Sequence, residues 1–115
     1  MSIQKSIFDE VSLSCSKITT KSYSTSFSLA IKLLNKEYKD AIYSVYGFVR
    51  LADEIVDSFH GYNKKQLLSE LRYSTIEALE KKISLNPIIN SFQKTVKQYN
   101  IEWHLIDSFL ESMEY

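Results

Sequence analysis

The chain is predicted to be all-α, a helical bundle forming one unit over residues 1–115, and three observations predict it. Only two glycines and one proline occur in 115 residues, so little interrupts long elements. Apolar residues recur every three or four positions wherever a pattern is legible, the spacing of one helix face. Good capping residues stand where those patterns start and stop. A domain of this length can bury roughly two-thirds of the surface its unfolded chain exposes. No repeat, low-complexity segment or long linker divides it.

The first helix is expected over Ser6 to Lys21, with Ile7, Phe8, Val11, Cys15 and Ile18 on one apolar face. Ser22, Tyr23, Ser24, Thr25 and Ser26 follow it. Hydroxyls in a row compete for backbone hydrogen bonds, so a break or bend is expected there. Phe27, Ala30, Ile31 and Leu34 resume helical spacing in a short second helix. Asn35 is a suitable N-cap for the central helix, Glu37 adds a carboxylate to its first turn, and Gly61 is its natural stop.

Asn63 followed by Gln66 resembles a capping box, opening a fourth helix with Leu67, Leu68, Leu71, Thr75, Ala78, Leu79 and Ile83 as its stripe. Asn86 and Pro87 form an N-cap and N1 pair for a fifth helix through Ile88, Phe92, Val96 and Tyr99, which Asn100 ends. A sixth begins at Ile101 and carries Leu105, Ile106, Phe109, Leu110 and Met113. No stop signal precedes Tyr115, so the chain is expected to end in mid-helix.

Fourteen basic residues balance fourteen acidic ones, which argues against nucleic acid as a partner and leaves recognition to local charge. Cys15 is the only cysteine; it cannot form an internal disulfide and reads as a small core residue in a reducing compartment. The N-terminus lacks the apolar core of a secretory signal, and no stretch approaches the ~20 apolar residues of a membrane span. A soluble, cytoplasmic protein is expected. His60 and His104 are isolated and read as surface or half-buried residues. Trp103, Phe92, Phe109 and Met113 are spaced as core. Lys64, Lys65, Lys81, Lys82, Lys94 and Lys97 read as solvated charge.

One stretch of the central helix, Ala41 to Asp57, carries the chemistry. At 100° per residue, Tyr43, Tyr46, Arg50, Asp53, Glu54 and Asp57 share an arc of roughly 100°. Ile42, Val45, Phe48, Val49, Leu51, Ala52, Ile55 and Val56 occupy the other side. Asp53 and Asp57 stack one turn apart, where like charges repel unless solvent or a cation intervenes. Mg²⁺ favours carboxylate oxygen and commonly shares its coordination with substrate phosphates. Arg50 suits a phosphate oxygen pair. Spacing alone leaves two readings open, a metal and diphosphate site or the wet face of an amphipathic helix.

The stretch from Tyr23 to Asp57, YSTSFSLAIKLLNKEYKDAIYSVYGFVRLADEIVD, resembles the N-terminal signature of the squalene and phytoene synthase family. The shared features are the S-x-S-F bend, the Leu pair, the A-I-Y-x-V-Y-x-F-x-R run and D-E-x-x-D. The resemblance implies the helical isoprenoid synthase fold and Mg²⁺-dependent, head-to-head condensation of two polyprenyl diphosphates, farnesyl or geranylgeranyl, through a cyclopropyl intermediate. It implies that Asp53 and Asp57 hold Mg²⁺ against the diphosphate and that Arg50 binds the diphosphate. Tyr46 then lines the same pocket, while Tyr23, Ser24 and Ser26 contact the head group, with Phe27 beside them. Some bacterial relatives carry histidine where Tyr23 stands. A phenol can donate to phosphate but brings no positive charge.

Family members carry a second aspartate-rich motif well downstream. Asp107 and Glu111 have its spacing without its context and read as a surface pair. The chain is therefore expected to be the N-terminal portion of a family member, inactive alone, with apolar faces left exposed for self-association. Peripheral contact with a membrane surface is compatible with a lipid substrate; any use of NADPH, the substrate chain length and the product are not legible. The alternative is a non-catalytic helical interaction or assembly module of the same fold.

Overall fold

Capping decides where several helices begin and end, and the sequence states most of those caps. A computed structural model describes residues 3–24, 31 and 34–114. Among them the elements are α1 (Ile3–Tyr23), α2 (Lys36–Asp57), α3 (Lys64–Lys81), α4 (Pro87–Tyr99) and α5 (Trp103–Ser112). The Asn63 side chain accepts from the Gln66 N–H, and Asn86 accepts from the N–H groups of Ile88 and Ile89 with Pro87 at the helix start. Asn100 closes α4 in the left-handed conformation, at φ 53°.

Asn35 stands at the N-cap of α2 as expected, with extended backbone but without a capping side-chain bond. Several other boundaries differ from the sequence reading, α1 among them, which runs Ile3–Tyr23 rather than Ser6 to Lys21. α2 stops at Asp57, with the Ser58 N–H bonded to the Glu54 carbonyl, and Gly61 turns the chain later at φ 90°. Lys64, read as solvated, donates to the Val56 carbonyl at 2.6 Å and so covers one of the orphan carbonyls at that end. Lys82 ends α3 in the left-handed region, leaving Ile83 outside the helix. α5 ends at Ser112, whose hydroxyl bonds the Phe109 carbonyl, so the described chain does not stop in mid-helix.

The core gathers on the apolar side of α2. Phe48 stacks on Phe92 with ring centroids 3.9 Å apart, and Phe109 tilts against it at 6.3 Å. Ala52, Ile55, Leu68, Leu71, Ala78, Ile89, Val96, Ile106 and Leu110 complete the cluster, with Met113 packed at its edge. Helices α1, α2 and α4 pack on one another, and α3 packs on α2 and α4. Trp103, expected in the core, is more than a third exposed at the start of α5. Asp107, read with Glu111 as a surface pair, instead forms an ion pair with Arg72 of α3. Ile31 is buried, while Phe27 and Ala30 of the expected second helix lie outside the described residues. Cys15 is half-buried rather than deep in the core. No helix is long and apolar enough to cross a membrane among the described residues.

The largest correction concerns α1, which is turned the opposite way from its apolar pattern. Ile7, Val11 and Ile18 are 59%, 50% and 65% exposed, and Ile3 also faces outward. The buried face is Asp9, Ser12, Ser16 and Thr20. Small polar residues allow close approach: a Cβ on Gly47 of α2 would lie 3.0 Å from Ser16 Oγ and 3.3 Å from Ser16 Cα. Directional bonds then replace apolar contact. Asn90 of α4 donates to Asp9 Oδ1 and to Ser12 Oγ, both at 3.0 Å, and Ser44 and Ser91 share a 2.5 Å hydroxyl bond between α2 and α4. Lys5 and Lys94 bring positive charge to Asp9.

Candidate functional site

The closeness of α1 to α2 carries Tyr23, the last residue of α1, onto the second half of α2. There its ring covers the Arg50 guanidinium, with the ring centroid 4.6 Å from Cζ. Such a stack contributes about 0.5–1 kcal/mol where exposed and more when desolvated. One helical turn on, Glu54 meets the same guanidinium, with Arg50 Nη2 2.7 Å from Glu54 Oε2. Both side chains are only 20% exposed. The arc predicted as polar is therefore a partly covered surface.

Hydrogen bonds from Ser58, Arg50 and Tyr23 hold the Glu54 carboxyl below its ordinary range. The Arg50 guanidinium is raised above its ordinary value, chiefly by the bond to Glu54, with the charges of Glu54 and Asp53 acting in the same direction. Its Nε is buried without a hydrogen-bond partner among the described residues. A buried donor left unpaired costs about 1–3 kcal/mol, which an arriving acceptor relieves.

Asp53 is half-buried and Asp57 exposed. Neither forms an ion pair among the described residues, in contrast to Glu54. Stacked one turn apart, the two carboxylates concentrate negative charge, and the nearby Arg50 is directly bonded to Glu54 rather than to either of them. Tyr46, half-buried one turn before Arg50, lines an apolar groove of about 370 Å³ with Ile42, Val45, Val49, Tyr99 and Ile101. Val49 lies one turn before Asp53, so the groove runs along α2 toward the charged row. A second hollow of about 350 Å³ opens beside Asp9, Lys94 and Asp40, whose charges are paired locally.

Of the residues singled out from the sequence, Tyr23 and Arg50 come into contact, while Tyr46, Asp53 and Asp57 share their helix. Ser24 is half-buried just beyond α1, its N–H bonded to the Thr20 carbonyl. Ser26 and Phe27 lie outside the described residues. Tyr43, assigned to the polar arc, is buried, with Lys17 Nζ 5.9 Å from its ring centroid. Glu54 was on the arc but unassigned to the site; its four-residue distance from Arg50 was the signal for the pairing.

The squalene/phytoene synthase family model matches residues 20–115. No curated protein and no solved structure matches the chain at a significant level. The matched segment contains the Tyr23 contact, the whole of α2 and every helix that follows. The chain belongs to the squalene/phytoene synthase family.

Proposed function

We propose that this chain provides one wall of a diphosphate site in a Mg²⁺-dependent prenyltransferase that joins two polyprenyl diphosphates head to head. The observation that carries the reading is a row on α2 in which Arg50 is already ordered while Asp53 and Asp57 form no ion pair among the described residues, with an apolar groove along the preceding turns of the same helix. A polyprenyl diphosphate has the matching polarity, a charged head on an apolar tail.

Asp53 and Asp57 fit Mg²⁺ as part of its shell. No set of three or more His, Cys, Asp or Glu residues gathers for a metal among the described residues. Water and phosphate oxygens would then complete the coordination, as Mg²⁺ commonly requires. When bound, the ion supplies charge neutralisation for the departing diphosphate. Arg50 donates to the phosphate oxygens and stabilises the negative charge that grows on them as the carbon–oxygen bond breaks. Tyr46 and the apolar wall keep water from the allylic cation, and the tyrosine ring face attracts it. Farnesyl and geranylgeranyl diphosphate are the substrates to test.

The measurement is binding of farnesyl or geranylgeranyl diphosphate with and without Mg²⁺, for the wild type, Asp53→Ala and Asp57→Ala. Metal-dependent binding that either substitution abolishes is the expected result. Equal, metal-independent binding by all three would overturn the assignment. The outward isoleucines of α1 favour a second reading, a helical assembly module of the same fold. It predicts no metal-dependent binding and a partner lost when Ile7 and Ile18 become polar.

A further inference from the structure

α2 offers three carboxylates beside Arg50, and the structure divides them into two kinds. Asp53 and Asp57 are not ion-paired among the described residues, whereas Glu54 is bonded by Arg50 at 2.7 Å, and the hydroxyls of Ser58 and Tyr23 help to hold its carboxyl below the ordinary range. We propose that Glu54 is a positioning residue: its carboxylate holds the Arg50 guanidinium in the attitude that meets a diphosphate, and it does not ligate the metal. This deepens the diphosphate reading and rests on it.

Three features of the geometry argue for it. An arginine side chain has many rotamers, and ordering it at the moment of binding weakens affinity. Here the guanidinium is fixed beforehand on two sides, its edge by Glu54 and its face by the Tyr23 ring. The Nε–H is held away from solvent and has no acceptor among the described residues. The guanidinium that Glu54 holds also joins two helices, since the Tyr23 ring that covers it ends α1 while Arg50 and Glu54 lie in α2. Ligating a metal would require Glu54 to release the partners that keep these pieces together.

The opposing effect is electrostatic. A carboxylate beside Arg50 lessens its pull on an anion, so Glu54 helps only if placement outweighs lost charge. Substitution by glutamine removes the charge and the strong acceptor together, so the sign of the change in affinity shows which effect is larger. Weaker binding by Glu54→Gln means placement dominates; tighter binding means charge does.

The test is an NMR titration of the isotopically labelled chain with inorganic pyrophosphate over a series of Mg²⁺ concentrations. The variants are Glu54→Gln, Tyr23→Phe, Asp53→Asn and Arg50→Lys, with the Glu54→Gln/Arg50→Lys double. Glu54→Gln is expected to weaken pyrophosphate binding about tenfold, the worth of one charge-assisted hydrogen bond. It should leave the Mg²⁺ half-saturation point in place and remove the protected Arg50 Nε–H resonance. In the Arg50→Lys background it should have no further effect. Tyr23→Phe, which keeps the ring and loses the hydroxyl, should show the same pattern more weakly and serves if Glu54→Gln does not fold.

A Mg²⁺ half-saturation point shifted by Glu54→Gln as it is by Asp53→Asn would make Glu54 a metal ligand and overturn the proposal. So would unchanged or tighter pyrophosphate binding by Glu54→Gln while Asp53→Asn abolishes it, and this would leave the diphosphate reading standing. Absence of Mg²⁺-dependent binding by the wild type would overturn both.

Discussion

Replacing Asn90 by alanine tests how α1 is held. The Asn90 side chain is fully buried and makes four bonds: its amide donates to Asp9 and Ser12, and its carbonyl accepts from the Ser84 N–H and from Gln93, both at 3.2 Å. Some partners keep an alternative, since Ser12 also bonds the Phe8 carbonyl, Gln93 the Lys82 carbonyl, and Asp9 the Lys5 ammonium. The larger losses are the charge-assisted bond to the Asp9 carboxylate, about 1.5–3 kcal/mol, and the acceptor of the Ser84 backbone N–H, about 1 kcal/mol. Asn90→Ala is therefore expected to destabilise the chain by about 2.5–4 kcal/mol, a large part of the 5–15 kcal/mol typical of a domain. Urea unfolding followed by circular dichroism at pH 7 measures it, in a cycle with Asp9→Ala. The coupling between the two sites should be about 1.5–3 kcal/mol. A loss below about 1 kcal/mol, or a coupling near zero, would refute the view that polar bonds hold this helix.

Gly47→Ala offers better helix propensity by about 1 kcal/mol but drives a methyl group against Ser16, where overpacking costs about 1–3 kcal/mol. A lower thermal midpoint is expected, and combining it with Ser16→Gly should cost less than the two changes summed. Burial alone would raise the Asp9 carboxyl, but hydrogen bonds from Asn90 and Lys5 and the charges of Lys5 and Lys94 bring it below its ordinary 3.8. The folded state thus holds that proton less tightly than the unfolded chain. The contribution is complete above the ordinary value and disappears as pH falls through the lowered one. Urea midpoints measured from pH 5 downward should fall more steeply for the wild type than for Asp9→Ala.

Where the sequence spoke clearly, the interactions are local. Asn63, Asn86 and Asn100 act within a turn or two of their own positions, so reading the residues in order found them. The row of Arg50, Asp53 and Asp57 was legible for the same reason, because helical rotation is arithmetic along one element. The orientation of α1 was not legible. Its polar face has a partner in Asn90, 81 positions from Asp9, and nothing near Asp9 announces that partner. Apolar spacing pointed to Ile7 and Ile18 as the inward side, and long-range hydrogen bonding overrode it. Tyr23 shows the intermediate case: the family pattern assigned it to the head-group contacts, but only the packing of α1 on α2 brings its ring onto Arg50.

Apolar contacts tolerate sliding, whereas the Asp9–Asn90 bonds and the Ser16–Gly47 approach are satisfied at one register only. A slip of one turn along α2 would replace Ser16 by a neighbour and leave the buried carboxylate without its amide. From Asp9 to Tyr23 is about 21 Å of helix at 1.5 Å per residue. α1 thus acts as a ruler with its zero mark at Asn90, and its far end measures out the place where an aromatic ring meets the arginine.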